Sequence, residues 1–291
     1  MKKNMMMLCL LALLIATGAE AQEVRNVVYT TGINELQYAK KDTKPTTGEV
    51  IGEVLSAIVT GETSQDMGQY VPAVQAAVVK GISQARRIKA IEGQLTPEEK
   101  EQPNTWYVDG TIASISSTSK VDTWEDKDKK KHSKTVYKGL VSVTLHFKNA
   151  HSDEVMFSPS FNITSSDLSW VESAAGAINN AINSLSGRIT RYLNVNLPLS
   201  ANIIEGARDK KDKQKEVYID LGAAEGAFKG LHFEVFTVRT VAGREARKKI
   251  GRLKVTDVEG DDISLCKVQS GGRDIKSAID AGEQLLIITT D

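Results

Sequence analysis

The chain has 291 residues, with 37 Lys and Arg against 37 Asp and Glu, 41% hydrophobic and 5% aromatic content, and two cysteines. That length allows one or two domains with substantial cores. A formal charge of zero lacks the basic excess that would point to nucleic acid or an anionic membrane surface, and two cysteines cannot form a disulfide scaffold.

Residues 1–21 read as a secretory signal: Lys2 and Lys3, the apolar run from Leu8 to Ile15, and the small-x-small site Ala19-Glu20-Ala21 before Gln22. The run is shorter than the roughly 20 residues that cross a bilayer, and Thr17, Gly18 and Glu20 close it. Cys9 follows Leu8, where a lipoprotein signal has a small residue, so no lipid anchor is expected. Removing 21 residues, among them two lysines and one glutamate, leaves 270 residues with 35 basic and 36 acidic side chains. The mature protein is therefore expected to be exported, periplasmic or outer-membrane-associated, without a transmembrane span and with peripheral membrane contact left open. Cys266 becomes its only thiol and, within the strand-like run Ile263 to Val268, reads as a small buried hydrophobe.

The expected first domain covers residues 22–204. Val24 to Thr31 reads as a strand, and Ile51, Val54, Leu55 and Ile58 recur at helical spacing. A helix is predicted from about Tyr70 to Ile91, with Pro72 in its first turn and Arg86, Arg87 and Lys89 offsetting the dipole at its end. Trp106 to Ser116 and Val136 to Phe147 form strands joined by a solvated loop, Asp122 to Lys134, whose Trp124 is out of place among charges. Tyr137, Val141, Val143, Leu145 and Phe147 share one face of the second strand. A third strand carries Val155, Phe157, Phe161 and Ile163. Asp167 to Leu193 then forms a helical stripe that includes Trp170, Ile178, Ile182, Leu185 and Ile189. The predicted class is α+β, with helices packed on one face of a mainly antiparallel sheet.

Glu205 to Glu216 lacks apolar periodicity and is predicted to be a charged linker, residues 205–216. Residues 217–291 follow as a small all-β barrel of about five strands, closed because closure removes exposed edges.

No constellation for chemistry emerges. Gly222, Gly226 and Gly230 precede a strand and not a helix, so they predict positive-φ turns and not a phosphate cradle. His132, His146, His151 and His232 form no zinc pattern, and no GxSxG or SxxK occurs. Asp153-Glu154 and Asp261-Asp262 fall at predicted turns. No catalytic, cofactor-binding or metal-binding residue is assigned, no cofactor is expected, and the chain is expected not to be an enzyme.

The helix from Val71, the run Tyr107-Val-Asp-Gly-Thr-Ile112 and the hairpin ending Leu145-His-Phe-Lys-Asn-Ala150 resemble the periplasmic α/β domain of the curli secretion channel protein. Its relatives include the lipoprotein activator of penicillin-binding proteins. Val217-Tyr-Ile-Asp-Leu-Gly222, Phe233-Glu-Val-Phe236 and Ile250-Gly-Arg-Leu-Lys-Val255 resemble the C-terminal barrel of flagellar assembly protein T. The resemblance implies a non-enzymatic envelope protein that assembles or docks, with other envelope proteins or itself as partners and no nucleic acid. A pore does not follow, because the hairpin tip DTWEDKDKKKHSK is too charged for lipid. A regulator of a cell-wall synthase, a secreted hydrolase and a glycan binder are the alternatives.

Overall fold

A computed structural model of the chain describes residues 26–39 and 68–290. The signal-like segment with Cys9, the start of the strand expected from Val24 and the helix expected at Ile51 to Ile58 lie outside the described residues.

The first unit comprises β1 (Tyr29–Ile33), β2 (Gln37–Tyr38), α1 (Val71–Ser83), β3 (Ile88–Glu92), α2 (Pro97–Lys100), β4 (Thr105–Glu125), β5 (Lys131–Asn149), β6 (Val155–Phe157), β7 (Ser160–Ile163) and α3 (Ala174–Asn196). Its sheet has the order β3-β1-β4-β5-β6, with β2 also on β4 and β7 also on β5. Strand β1 is parallel to β3 and β4, and β2 is parallel to β4, whereas β5 is antiparallel to β4, β6 and β7. The sheet is thus mixed, against the mainly antiparallel one that the strand runs predict. The crossover through α1 returns the chain to lie parallel beside β1, which a hairpin cannot do.

That crossover also shortens the predicted first helix. Helix α1 stops at Ser83, and Ile88 to Glu92 pair with Tyr29 to Ile33. Ladder hydrogen bonding there outcompetes a helical pattern that Ala85, Ile88 and Ile91 continue on paper. Arg86 and Arg87 consequently sit in the connection to β3, and Lys89 sits within β3, not at a helix end.

The predicted third strand is two short ones, broken at Ser158-Pro159, where proline has no N–H for a ladder. Val155 is 50% exposed and does not join the core. Helix α3 begins after Ser173, whose hydroxyl accepts from the Gly176 N–H at 3.1 Å, so Trp170 lies ahead of the helical stripe.

One core joins Val74, Val78 and Ile82 of α1, Ile178, Ile182, Leu185 and Ile189 of α3, and Val108, Ile112, Val141, Val143, Leu145 and Phe147 of the sheet. A bulge between Ile112 and Ser114 shifts the inward positions of β4 from even to odd, so Ile115 and Ser117 continue the buried row. Gly139 of β5 lets α3 approach: a Cβ there would stand 2.2 Å from the Ala177 carbonyl oxygen.

The second unit is a closed barrel of β8 (Ser200–Lys210), β9 (Lys213–Ile219), β10 (His232–Val241), β11 (Arg244–Val258), β12 (Ser264–Ser270) and β13 (Leu285–Thr290), in the order β10-β11-β12-β9-β8-β13. Two expectations are corrected. Residues 205–216 are not a linker: they belong to the β8–β9 hairpin, so the barrel starts at Ser200 and has a sixth strand. Nor is the unit all β, because α4 (Gly272–Asp280) adds Ile275 and Ala278 to the barrel core. Hydrogen bonds and ion pairs hold the charged hairpin where burial does not. Arg208 contacts Glu216 through two nitrogens, at 2.8 and 2.6 Å, and the buried Gln214 side chain donates to the carbonyls of Arg208 and Glu216.

The two units meet through polar contacts. Asn26 and Ser200 exchange hydrogen bonds at 2.8 Å, and Arg87 donates to the carbonyls of Val27 at 2.9 Å and Pro198 at 3.1 Å.

Candidate interaction surface

The polar face of the first sheet is filled by its own side-chain pairs. Ser142 donates to Asn162 at 2.6 Å, Thr144 meets Ser160 at 2.9 Å, His146 meets Ser158 at 2.8 Å and Lys148 meets Asp109 at 2.8 Å. The Tyr107 hydroxyl donates to Asp153 at 3.0 Å, and burial together with this acceptor raises the phenol above its usual range. Such pairs are structural glue on a sheet surface.

The ribbon that continues β4 and β5 differs. The antiparallel ladder extends unbroken from Lys120↔Val136 to Glu125↔Lys131, so the predicted Asp122–Lys134 loop is mostly strand. Residues 120–135 are nearly all exposed on both faces, which places the ribbon beyond the body of the unit. Only residues 126–130 turn. Asp126 organises them: its carboxylate accepts from the backbone N–H groups of Asp128 and Lys130, each at 2.9 Å, and lies 2.8 Å from His132 Nε2. The His132 contact and then the backbone donors hold the carboxyl below the usual Asp range. Lys129 takes the left-handed φ of 62° that the tight turn requires.

Trp124 is directly opposite His132, and their rings stack at 5.5 Å with 19° between planes. Lys134 sits 5.7 Å from the indole centroid and bridges at 3.0 Å to Glu172. At the base of the same face, Trp170 has the ammonium groups of Lys120 and Lys138 at 4.8 and 4.9 Å from its ring. The segment carrying Trp170 is pinned by a two-way bridge between Tyr137 and Val171. Trp124 nevertheless remains 46% exposed, and Val121 on the opposite face is 65% exposed. The ribbon is therefore ordered while keeping apolar surface in water.

The other residues singled out from the sequence do not converge. His151 is 3.6 Å from Glu101, and His232 is exposed at the start of β10. Asp261 and Asp262 are exposed at the β11–β12 turn. Gly226 and Gly230 have the expected positive φ, 92° and 104°, but Gly222 is extended; its role is close approach, since a Cβ would stand 2.2 Å from the Asp261 carbonyl carbon. Cys266 is fully buried in the barrel core, where burial pushes its thiol up to about 12. Among the described residues no group of three or more His, Cys, Asp or Glu could hold a metal ion, and no helix is long and apolar enough to cross a membrane. A cavity of about 300 Å³ lies beside the junction of the units, lined in part by Arg87, Pro198, Val238 and Arg247.

No family model and no curated protein matches the chain. Among solved structures it is similar to a neuraminyllactose-binding hemagglutinin homologue from Helicobacter pylori, at 13% identity and a TM-score of 0.30, covering 60% of this chain and 86% of that one. It is also similar to the PelC dodecamer from Paraburkholderia phytofirmans, at 9% identity and a TM-score of 0.31, covering 57% and 86%. A DUF330 protein from Xanthomonas campestris is similar at 7% identity and a TM-score of 0.29, covering 60% and 88%.

Proposed function

We propose that this chain is a non-enzymatic accessory or assembly protein of the cell envelope, exported to the periplasm or the outer membrane, that works by protein contact or self-association. The observation that carries this reading is the β4–β5 ribbon, with Trp124 and Val121 left 46% and 65% exposed on a tip that Asp126 holds in place. Covering the open half of an indole removes roughly 100 Å² from water, worth about 2–3 kcal/mol at about 25 cal/mol per Å². An ordered ribbon loses little conformational freedom on docking, so most of that gain goes into affinity. The signal-like segment and the resemblances to the curli channel domain and to the flagellar barrel support the same reading.

The test combines light scattering of the mature protein with its retention of envelope proteins, for the wild type and for Trp124→Ala and Val121→Ser. Loss of the assembled form or of a retained protein in the variants, with unchanged thermal melting, is the expected result. A strictly monomeric wild type that retains no envelope protein, or variants that behave as the wild type, overturns the reading.

A further inference from the structure

A second ribbon projects from the barrel. Strands β10 and β11 continue their pairing from Thr237↔Lys248 to Val241↔Arg244, and residues 239–249 are all exposed. This arm holds Arg239, Arg244, Arg247, Lys248 and Lys249 against the single carboxylate Glu245. The balanced charge of the whole chain conceals this local excess.

The register sorts those charges between two faces. Thr237, Arg239 and Val241 are on one side of β10, and their partners Lys248, Ala246 and Arg244 share that side. Glu245, Arg247 and Lys249 are on the other, in line with Glu234. The ion pairs follow the same division: Arg247 meets Glu245 at 2.5 Å, and Lys249 meets Glu234. One face therefore carries its cations beside carboxylates. The other carries Arg239, Arg244 and Lys248 with no carboxylate among them, beside Ala246 and a Val241 that is 59% exposed next to the small turn Ala242-Gly243.

We propose that this carboxylate-free face is a docking surface for an anionic bilayer, with the three cations on lipid phosphates and Val241 at the headgroup–acyl boundary. Charge complementarity selects that occupant. A lipid surface offers a dense plane of phosphates to a flat face of cations and accepts an aliphatic tip beneath them. Each cation near such a surface strengthens binding by a similar increment, so three together amount to on the order of 100-fold in partitioning. The attraction falls with salt because the Debye length shrinks to about 8 Å at physiological ionic strength.

The experiment is co-sedimentation of the full mature chain with vesicles of equal parts phosphatidylglycerol and phosphatidylcholine, and with vesicles of phosphatidylcholine alone. The wild type should pellet with the first, much less with the second, and be released by salt. The triple variant Arg239→Gln, Arg244→Gln, Lys248→Gln should lose about 100-fold in partitioning with unchanged melting. Arg247→Gln, on the paired face, should retain it. A wild type that stays in solution with both vesicles, equal binding to both, or a triple variant that pellets like the wild type overturns the proposal. So does an Arg247→Gln loss as large as that of the triple variant. Retention of an acidic protein by this arm without vesicle binding counts as the first of these outcomes.

Discussion

The Asp126 carboxylate and the His132 imidazole, six residues apart across the ribbon turn, lie 2.8 Å from each other, and the same carboxylate accepts from two backbone N–H groups. The tip is thereby tied to one ionised group. Its folded pKa is lowered, so the stability it contributes is complete above the ordinary Asp value near 4 and is lost as pH falls through the folded value. Amide hydrogen exchange or NMR at the 126–130 turn should show it loosening across that acidic window while the sheet amides stay protected. Asp126→Asn should loosen the tip at neutral pH and remove the pH dependence.

At Gly139 the backbone of α3 passes close to β5, with no room for a Cβ. In Gly139→Ala the new methyl meets the Ala177 carbonyl, which is backbone and cannot swing aside. The helix has to lift from the sheet, so a loss of about 1–3 kcal/mol is expected. Urea unfolding followed by circular dichroism measures it. Gly187→Ala is the control: on the same helix, with nothing within 4 Å of its Cβ, it should be neutral or slightly stabilising.

Arg87 ties three parts of the chain together, its own connection, Val27 and Pro198, through its guanidinium. Burial lowers its pKa, partly offset by Tyr29, whose ring lies 5.6 Å from the guanidinium carbon. Arg87→Met keeps the stem but orphans two carbonyls, so destabilisation of about 1–3 kcal/mol is expected. Limited proteolysis should report it first as faster cleavage near Pro198, where the two units join.

Cys266 is predicted to be inert toward thiol reagents in the folded state. Its thiol is fully buried and pushed up to about 12, so thiolate and access are both lacking. Labelling with iodoacetamide should therefore follow global unfolding as urea is raised. Fast labelling in buffer would contradict a buried position. Cys266→Ser, which brings a hydroxyl into an apolar core, should cost more than Cys266→Ala.

The elements legible in the sequence are those with one face in a core. Val141, Val143, Leu145 and Phe147 alternate because odd positions of β5 meet α3, and Ile178, Ile182, Leu185 and Ile189 recur because α3 has one buried stripe. Three ribbons were illegible over part of their length for one shared reason. The outer halves of β4–β5, β8–β9 and β10–β11 project past the cores, nearly all their side chains meet water, with Gln214 of β9 a buried exception, and the period-2 signal vanishes. In the first two, charged residues read as loop and linker, although the backbone ladder continues. Strand β3 was hidden differently: Ala85, Ile88 and Ile91 extend the helical spacing of α1, and no glycine or proline marks the turn at Arg86. Trp170 falls four residues before Ala174 and so mimics the stripe; Ser173 between them, a preferred cap residue, was the available warning. Trp124 was visible as an anomaly, but its stacking partner depended on a register that the sequence does not specify.

Strand β4 has a mechanical consequence. It is a single run of 21 residues, roughly 70 Å at about 3.3 Å per residue, beginning beside β1 near the barrel-facing end of the sheet and finishing at the Trp124 tip. Because β4 and β5 are joined at that tip, a pull there draws both strands the same way, so the load falls in shear on the ladders that bind them to β1, β2, β6 and β7 and not on the ladder between them.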